Sequence, residues 1–262
     1  MHDLLFLAAA ILYGAASVAL LAHLARGGEG VSARLGPRLL GLAAALHLSH
    51  DVLRWYGGAG PFGGLREGLS TLALLVVGGF FAVHRSAQRT GGVGAFVAPL
   101  ALLALLASRA AVDRTAGSGG ALLAMHVGSV LVATAAFAVA GAMALGYLLQ
   151  ERELKRKRLG GLFRRLPSLE VLDQYSYRCV ALGLPALTLG IVAGLFVSAR
   201  ATSGAGAWQQ YVALGVWAIF AGVLLLQVVA GWRRSTPGPS APCSAAAAAV
   251  LVLAGYFLRG AV

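Results

Sequence analysis

Four ionisable side chains stand out because their types and spacing could do chemistry inside a membrane. His47, His50 and Asp51 are three and four residues apart, so they share one face of a helix. His126 opens a second long apolar stretch. Neutral imidazoles from two helices can ligate one haem iron. A carboxylate beside a ligating histidine can hold its tautomer, a role open to Asp51.

The same side chains have plainer interpretations. Histidines near a membrane interface are tolerated where they hydrogen-bond to a neighbouring helix or to lipid headgroups, and the residues alone favour this structural role. A transition-metal site at His47 and His50 is a third hypothesis, weakened because ligands at i and i+3 do not close a coordination shell. His23 and His84 lie at the predicted cytoplasmic border of the membrane and are interpreted as interfacial polar residues.

Composition places these residues in a membrane protein. Hydrophobic residues make up 59% of the 262 residues, charged residues 11%, and the mean hydropathy is +0.81. Because apolar stretches of roughly 20 residues recur, we predict an all-α polytopic membrane helix bundle forming a single integral membrane domain, 1–262. The eight predicted spans are 4–25, 39–55, 65–84, 93–110, 121–149, 179–197, 211–230 and 245–258.

The basic residues orient these spans. The net charge is +12, and the densest basic cluster, 151–158, follows the fifth span directly. Positive charge beside a span marks the cytoplasmic side, so we predict a cytoplasmic loop at about 150–178 and both termini on the outer side. Fifteen of the 21 basic residues then fall on cytoplasmic segments and six outside. This pattern indicates topology and contact with membrane lipid rather than a nucleic-acid partner.

The sequence lacks the motifs that mark several functional classes of protein. Cys179 and Cys243 are isolated, with no Cys-x-x-Cys, and the chain has no His-Glu-x-x-His, Gly-x-Ser-x-Gly or P-loop pattern. No catalytic residue is predicted. The first span is expected to be a retained helix rather than a signal peptide. In the sixth span, Gly190-x-x-x-Gly194 is a small-residue face that permits close helix approach, a weak signal by itself.

Three stretches carry a family resemblance: YLLQERELK at 147–155, LPSLEVLD at 166–173 and GLPALTLG at 183–190. They resemble the cytochrome c assembly protein family of CcsA/HemX type. Weaker agreement is found at His47, at 67–70 (EGLS), at Pro99 and at 231–233 (GWR). The eight-span count fits the same family.

This resemblance implies a function. Such a protein would be a multi-pass protein of the bacterial cytoplasmic (inner) membrane that handles or relays haem at the outer face. It would be an assembly factor rather than a self-contained enzyme, with apocytochrome c or other assembly proteins as partners. The resemblance also implies that His47 and His126 are the cofactor-binding residues, as ligands of the haem iron.

One segment departs from the family pattern. Haem-handling members carry a tryptophan-rich Trp-Gly-x-x-Trp-x-Trp-Asp segment between spans six and seven, whereas 200–211 here keeps only Trp208 and has no aspartate. Gln227 stands where the family often has a histidine. The departure favours a shortened, HemX-like member. The alternative function is therefore a non-catalytic regulator or assembly partner without bound haem, with the basic loop as its contact surface.

Overall fold

The computed structural model describes residues 2–26, 31–58, 60–86, 90–111, 120–157, 165–200 and 207–229. This part of the chain is all-α, as predicted, and contains no β-strand. Its helices are α1 (His2–Arg26), α2 (Val31–Tyr56), α3 (Leu65–Ser86), α4 (Gly94–Ala110), α5 (Gly120–Lys155), α6 (Leu169–Arg200) and α7 (Ala207–Val229), with a 3-10 turn at Thr90–Val93 before α4.

Five of the described helices are long and apolar enough to cross a membrane. These spans are His2–Ala25, Leu65–Ser86, Gly91–Ala110, Gly120–Lys155 and Leu169–Ala199. Although α2 has 26 residues, it is not among them, because His47, His50 and Asp51 lower its hydropathy. The apolar stretch of α7, Gln210–Leu225, is shorter. The predicted eighth span, 245–258, lies outside the described residues.

Two helices begin before the spans predicted within them. α2 begins at Val31, ahead of the predicted span at 39–55, and α6 begins at Leu169, ahead of the predicted span at 179–197. Residues 169–177, within the predicted loop, form the first part of α6. Its start is set by capping rather than by hydropathy, because the amide of Val171 donates to Ser168 Oγ at 3.4 Å.

The predicted loop at 150–178 is also shorter than expected. α5 continues to Lys155, and this last turn is stabilised by an ion pair between Lys155 Nζ and Glu151 Oε1 at 2.7 Å. Part of the remaining loop, 158–164, lies outside the described residues.

Contacts between helix ends show that α1 and α4 run in opposite directions, and they identify the two ends of the bundle. Arg109, near the end of α4, pairs with Asp3 at the start of α1 at 2.9 Å. At the other end of the bundle, the Arg165 guanidinium donates to the backbone carbonyl of Leu24, near the end of α1. We call the first end, which includes His126, the histidine end, and the second the basic end.

The core has two parts. The larger one lies among α1 to α5 and the start of α6, around Tyr13, Phe80 and Met143. The smaller one lies among α5, α6 and α7, where the Phe137 and Phe220 rings stack at 3.9 Å between centroids. The most extensive helix pairing joins α5 to α6. The larger core positions His47, and the α5–α6 pairing positions His126.

Candidate functional site

His47 is completely buried among α1, α2 and α3. Its Nε2 atom is 2.8 Å from Ser70 Oγ on α3, and its Nδ1 atom is 3.4 Å from the Tyr13 hydroxyl on α1. The Tyr13 ring meets the imidazole edge-on, with 5.9 Å between centroids. Both ring nitrogens of His47 therefore have a side-chain partner from a different helix.

Proton counting assigns the direction of these hydrogen bonds. Ser70 Oγ donates to the Asp51 carboxylate, at 2.8 Å from Oδ1 and 2.9 Å from Oδ2. A hydroxyl has one proton to donate, so Ser70 must accept from His47 Nε2–H. Nδ1 of His47 then accepts from Tyr13. His50 Nδ1 completes the cluster at 3.0 Å from Asp51 Oδ1.

We call Tyr13, His47, His50, Asp51 and Ser70 the Asp51 network. The predicted shared face of the three α2 residues is confirmed, since all three belong to it. In this tautomer His47 has no lone pair left for a metal ion, because Nε2 carries the proton and Nδ1 accepts from Tyr13.

An opening at the histidine end leads to this network. Its wall includes Asp51, Arg54, Arg66, Glu67 and Arg109. Arg54 donates to Glu67 Oε1 at 2.6 Å, and both side chains are largely buried. The two carboxylates offset most of the positive charge of the three arginines.

His126 has a simpler environment on the first turns of α5. The ring is half-buried, and Nδ1 lies 2.6 Å from the carbonyl oxygen of Gly190 on α6. Because a carbonyl can only accept, Nδ1 carries a proton, and in the neutral imidazole Nε2 then carries the lone pair. No hydrogen bond to Nε2 is found among the described residues. His126 therefore presents the ring nitrogen that a metal ion would use.

The other histidines give no comparable site. His84, at the basic end, stacks on Phe80 with 5.5 Å between ring centroids, and His23 is half-buried near the end of α1. In the ranges that the structure describes, no group of three or more His, Cys, Asp and Glu side chains is placed to hold a metal ion. The transition-metal hypothesis at His47 and His50 thus gains no third ligand there.

The two predicted ligands lie in separate surroundings. No hydrogen bond or ring contact joins His126 to the Asp51 network in the described part of the chain, and His47 is held by α1 and α3 rather than by α5. Residues 201–206, within the degenerate segment between α6 and α7, lie outside the described residues, as does the side chain of Gln227.

Sequence reasoning missed two members of the network, Tyr13 and Ser70, and the Arg54–Glu67 pair. A signal existed for α3: Glu67 and Ser70 are three residues apart at the start of an apolar helix, and polar groups there need buried partners. No comparable signal pointed to Tyr13, which lies in an otherwise apolar stretch of α1.

These helices, with several buried ionisable side chains among them, define a multi-pass integral membrane protein. A family model described as cytochrome C assembly protein matches residues 66–261. The cytochrome c biogenesis protein CcsA of Parasynechococcus marenigrum is 30% identical over 231 residues, covering 76% of this chain and 75% of the relative. The chain belongs to the cytochrome c assembly protein family, as the resemblance predicted.

Two further comparisons show how the similarity is distributed. The cytochrome c biogenesis protein CcsA of Microcystis aeruginosa is 28% identical over 242 residues, covering 70% of this chain and 73% of the relative. Protein HemX of Brevibacillus brevis is 43% identical over 74 residues, covering 28% of this chain and 27% of the relative. No solved structure matches.

Proposed function

We propose that this protein handles or relays haem during cytochrome c biogenesis, with His126 as a ligand of the haem iron. The relatives that cover most of the chain are named cytochrome c biogenesis proteins. The single observation that carries the ligand proposal is the hydrogen bond from His126 Nδ1 to the Gly190 carbonyl at 2.6 Å. A metal-ligating histidine characteristically donates its other ring N–H to such an acceptor.

The residues present fit a haem iron at His126. In the neutral ring this tautomer leaves the lone pair on Nε2, the ring is oriented by one hydrogen bond, and the side chain is only half-buried. Bound haem would supply the iron–porphyrin destined for apocytochrome c. The protein's own part is to hold a neutral imidazole at a fixed angle on the surface of α5.

His47, the second ligand implied by the resemblance, is held differently. Its Nε2 proton is committed to Ser70, so ligation would require the Asp51 network to rearrange. We therefore propose His47 as a second ligand only together with that rearrangement. Without it, the network serves to fix α1, α2 and α3 to one another.

The membrane setting of the proposal follows from charge. Arg152, Lys155, Arg156 and Lys157 are exposed at the basic end, and positive charge is retained on the cytoplasmic side. We propose that the histidine end faces the outer side of the bacterial cytoplasmic membrane. Eight spans in a single domain, with both termini outside, complete this arrangement. The protein would act as an assembly factor, with apocytochrome c or other assembly proteins as partners.

Absorption spectra test the function. We expect protein purified from haem-replete membranes to show a haem spectrum, and His126→Ala to lower the haem content about tenfold or more. Added imidazole should restore the spectrum of His126→Ala. Loss of haem from folded His47→Ala would show that the Asp51 network rearranges to supply a second ligand, whereas retained haem would limit ligation to His126. His23→Ala, at the basic end, is the matched control. Haem-free wild-type protein, or an unchanged spectrum in His126→Ala, contradicts the proposal.

A second candidate is a HemX-like regulator or assembly partner without bound haem. The short match to protein HemX and the exposed basic residues at the end of α5 favour it. Its contact surface would be Arg152, Arg156 and Lys157, since Lys155 is paired with Glu151. Arg165 is unsuitable for testing this candidate, because its guanidinium already holds the carbonyl of Leu24.

Co-purification from membranes distinguishes the two candidates. If the second is correct, the wild-type protein carries a partner protein and no haem, and replacing Arg152 and Arg156 by glutamine releases the partner. Arg85→Gln, another exposed arginine at the basic end, should retain it. Partner binding that survives the double replacement contradicts this candidate.

A further inference from the structure

We infer that Gly190 and Gly194 are positioning residues for His126, which set both the orientation and the tautomer of its ring. The inference rests on the proposed function, in which His126 is the ligand of the haem iron. It assigns a role to the Gly190-x-x-x-Gly194 pair, which as a sequence pattern indicated only close helix approach.

Gly194 leaves the space that the imidazole fills. A Cβ atom at this position would lie 2.7 Å from His126 Cε1 and 2.8 Å from His126 Nδ1. Both distances are shorter than real Cβ contacts, and the nearest atoms belong to a flat ring rather than to the end of a flexible chain. Any side chain at 194 would therefore displace the ring.

Gly190 allows its own carbonyl oxygen to approach His126 Nδ1 closely enough to accept a hydrogen bond. Its own Cβ would lie 2.8 Å from Val130 Cγ2 and 3.3 Å from the Val130 backbone nitrogen. A larger residue at 190 would therefore force α5 away from α6. Only with the two backbones this close can the Gly190 carbonyl accept from His126 Nδ1 at 2.6 Å.

The four-residue spacing joins these two effects. Cα–Cβ bonds in an α-helix tilt towards its N-terminus, so a side chain at 194 would lie over the backbone one turn earlier, at 190. The absence of a side chain at 194 uncovers the Gly190 carbonyl. Because a carbonyl oxygen has two lone pairs, it can accept from His126 as well as from the helical amide.

For haem binding, the consequence is that His126 would already have the tautomer and orientation of an iron ligand before haem binds. The hydrogen bond from Nδ1 holds the proton of the neutral imidazole on Nδ1 and makes Nε2 a stronger donor to a metal ion. If the glycines acted only in helix packing, their replacement would change stability and leave the tautomer of His126 as it is. The tautomer is therefore the observable that separates positioning from packing.

Nitrogen-15 NMR of histidine-labelled, haem-free protein in detergent micelles reads that tautomer. We expect the wild-type His126 signals to show a protonated Nδ1 and an unprotonated Nε2. Gly194→Ala should lose this pattern and lower haem affinity about tenfold, the scale seen when the outer partner of a ligand is removed. Gly215→Ala on α7 is the control, since a Cβ there meets no atom within 4 Å.

The outcomes separate the inference from the proposed function. An unchanged tautomer in Gly194→Ala overturns the positioning role, whatever happens to haem. A changed tautomer, with haem binding that survives His126→Ala, overturns the ligand role and supports positioning.

A second pair of variants keeps the test valid if Gly194→Ala does not fold. The amide nitrogen of asparagine can take the place of Nδ1, whereas that of glutamine takes the place of Nε2. His126→Asn should therefore melt near the wild-type temperature, and His126→Gln should melt lower. Equal melting temperatures would overturn the inference.

Discussion

The surroundings of His47 and of His126 differ in which ring nitrogen of the neutral imidazole carries the proton. They also differ in whether the other ring nitrogen has a hydrogen-bond partner. His47 donates from Nε2 to Ser70 and accepts at Nδ1 from Tyr13, and no part of its side chain is exposed. His126 donates from Nδ1 to a backbone carbonyl and has no described partner at Nε2. The two histidines thus hold opposite tautomers.

The difference follows from what each neighbouring helix offers. Around His47, α1 and α3 present hydroxyl groups, which can donate as well as accept and so can satisfy both sides of an imidazole. Around His126, α6 presents glycines, whose only polar group within reach is a carbonyl oxygen. A carbonyl fixes one proton and leaves the other nitrogen available. The first environment suits a structural residue and the second suits a ligand.

The largest expected effect is on folding at His47. His47→Ala removes a fully buried ring and leaves the partners on α1 and α3 unsatisfied, so we expect the free energy of unfolding to fall by about 2–3 kcal/mol. His126→Ala removes one interhelical hydrogen bond in a half-buried position, and we expect a loss of about 1 kcal/mol or less. Unfolding in mixed detergent micelles measures both.

One result would contradict this difference in structural role between His47 and His126. If His126→Ala destabilises the protein as much as His47→Ala, the two histidines do not differ in structural role. The control is His23→Ala, which removes a half-buried histidine near the end of α1 that belongs to neither site.

The fold was predictable where hydrophobicity decides it. The limits of α1, α3 and α4 follow from apolar stretches bounded by polar residues, and the structure places them within a few residues of prediction. The start of α6 did not follow, because it is set by the Ser168 cap in a stretch that is not apolar. Hydropathy marks where a helix enters the membrane, whereas capping marks where the helix begins.

The site was predictable only within one helix. The spacing of His47, His50 and Asp51 gave their shared face, since a helix fixes that geometry locally. The partner of His126 is Gly190, 64 residues away, and it is selected by the register of α5 against α6. That register depends on close packing between backbones, which no local pattern specifies. The two tautomers depend on partners of this kind.

The smallest expected effects lie within the Asp51 network and test its assigned directions. Ser70→Ala removes the group that accepts from His47 and donates to Asp51, so His47 Nε2 loses its nearest acceptor and the buried Asp51 carboxylate keeps His50 as its closest donor. We expect it to lower the free energy of unfolding by about 1–2 kcal/mol. Tyr13→Phe removes only a contact of 3.4 Å between the hydroxyl and His47 Nδ1. A hydrogen bond this long is weak, so the loss should be less than about 0.5 kcal/mol.

The order of these two losses in free energy of unfolding tests the assigned hydrogen-bond directions. The losses can be compared because both variants are measured in the same micelles and neither replacement adds bulk. A larger loss in Tyr13→Phe than in Ser70→Ala would mean that Nδ1, not Nε2, makes the stronger bond of His47. That order would favour the reversed assignment, with Nδ1–H of His47 donating to Tyr13, and the contrast in tautomer between His47 and His126 would disappear. The assigned directions require the opposite order, since Ser70 bridges the imidazole and the buried carboxylate of Asp51 through contacts of 2.8 to 2.9 Å, shorter than the 3.4 Å contact of Tyr13.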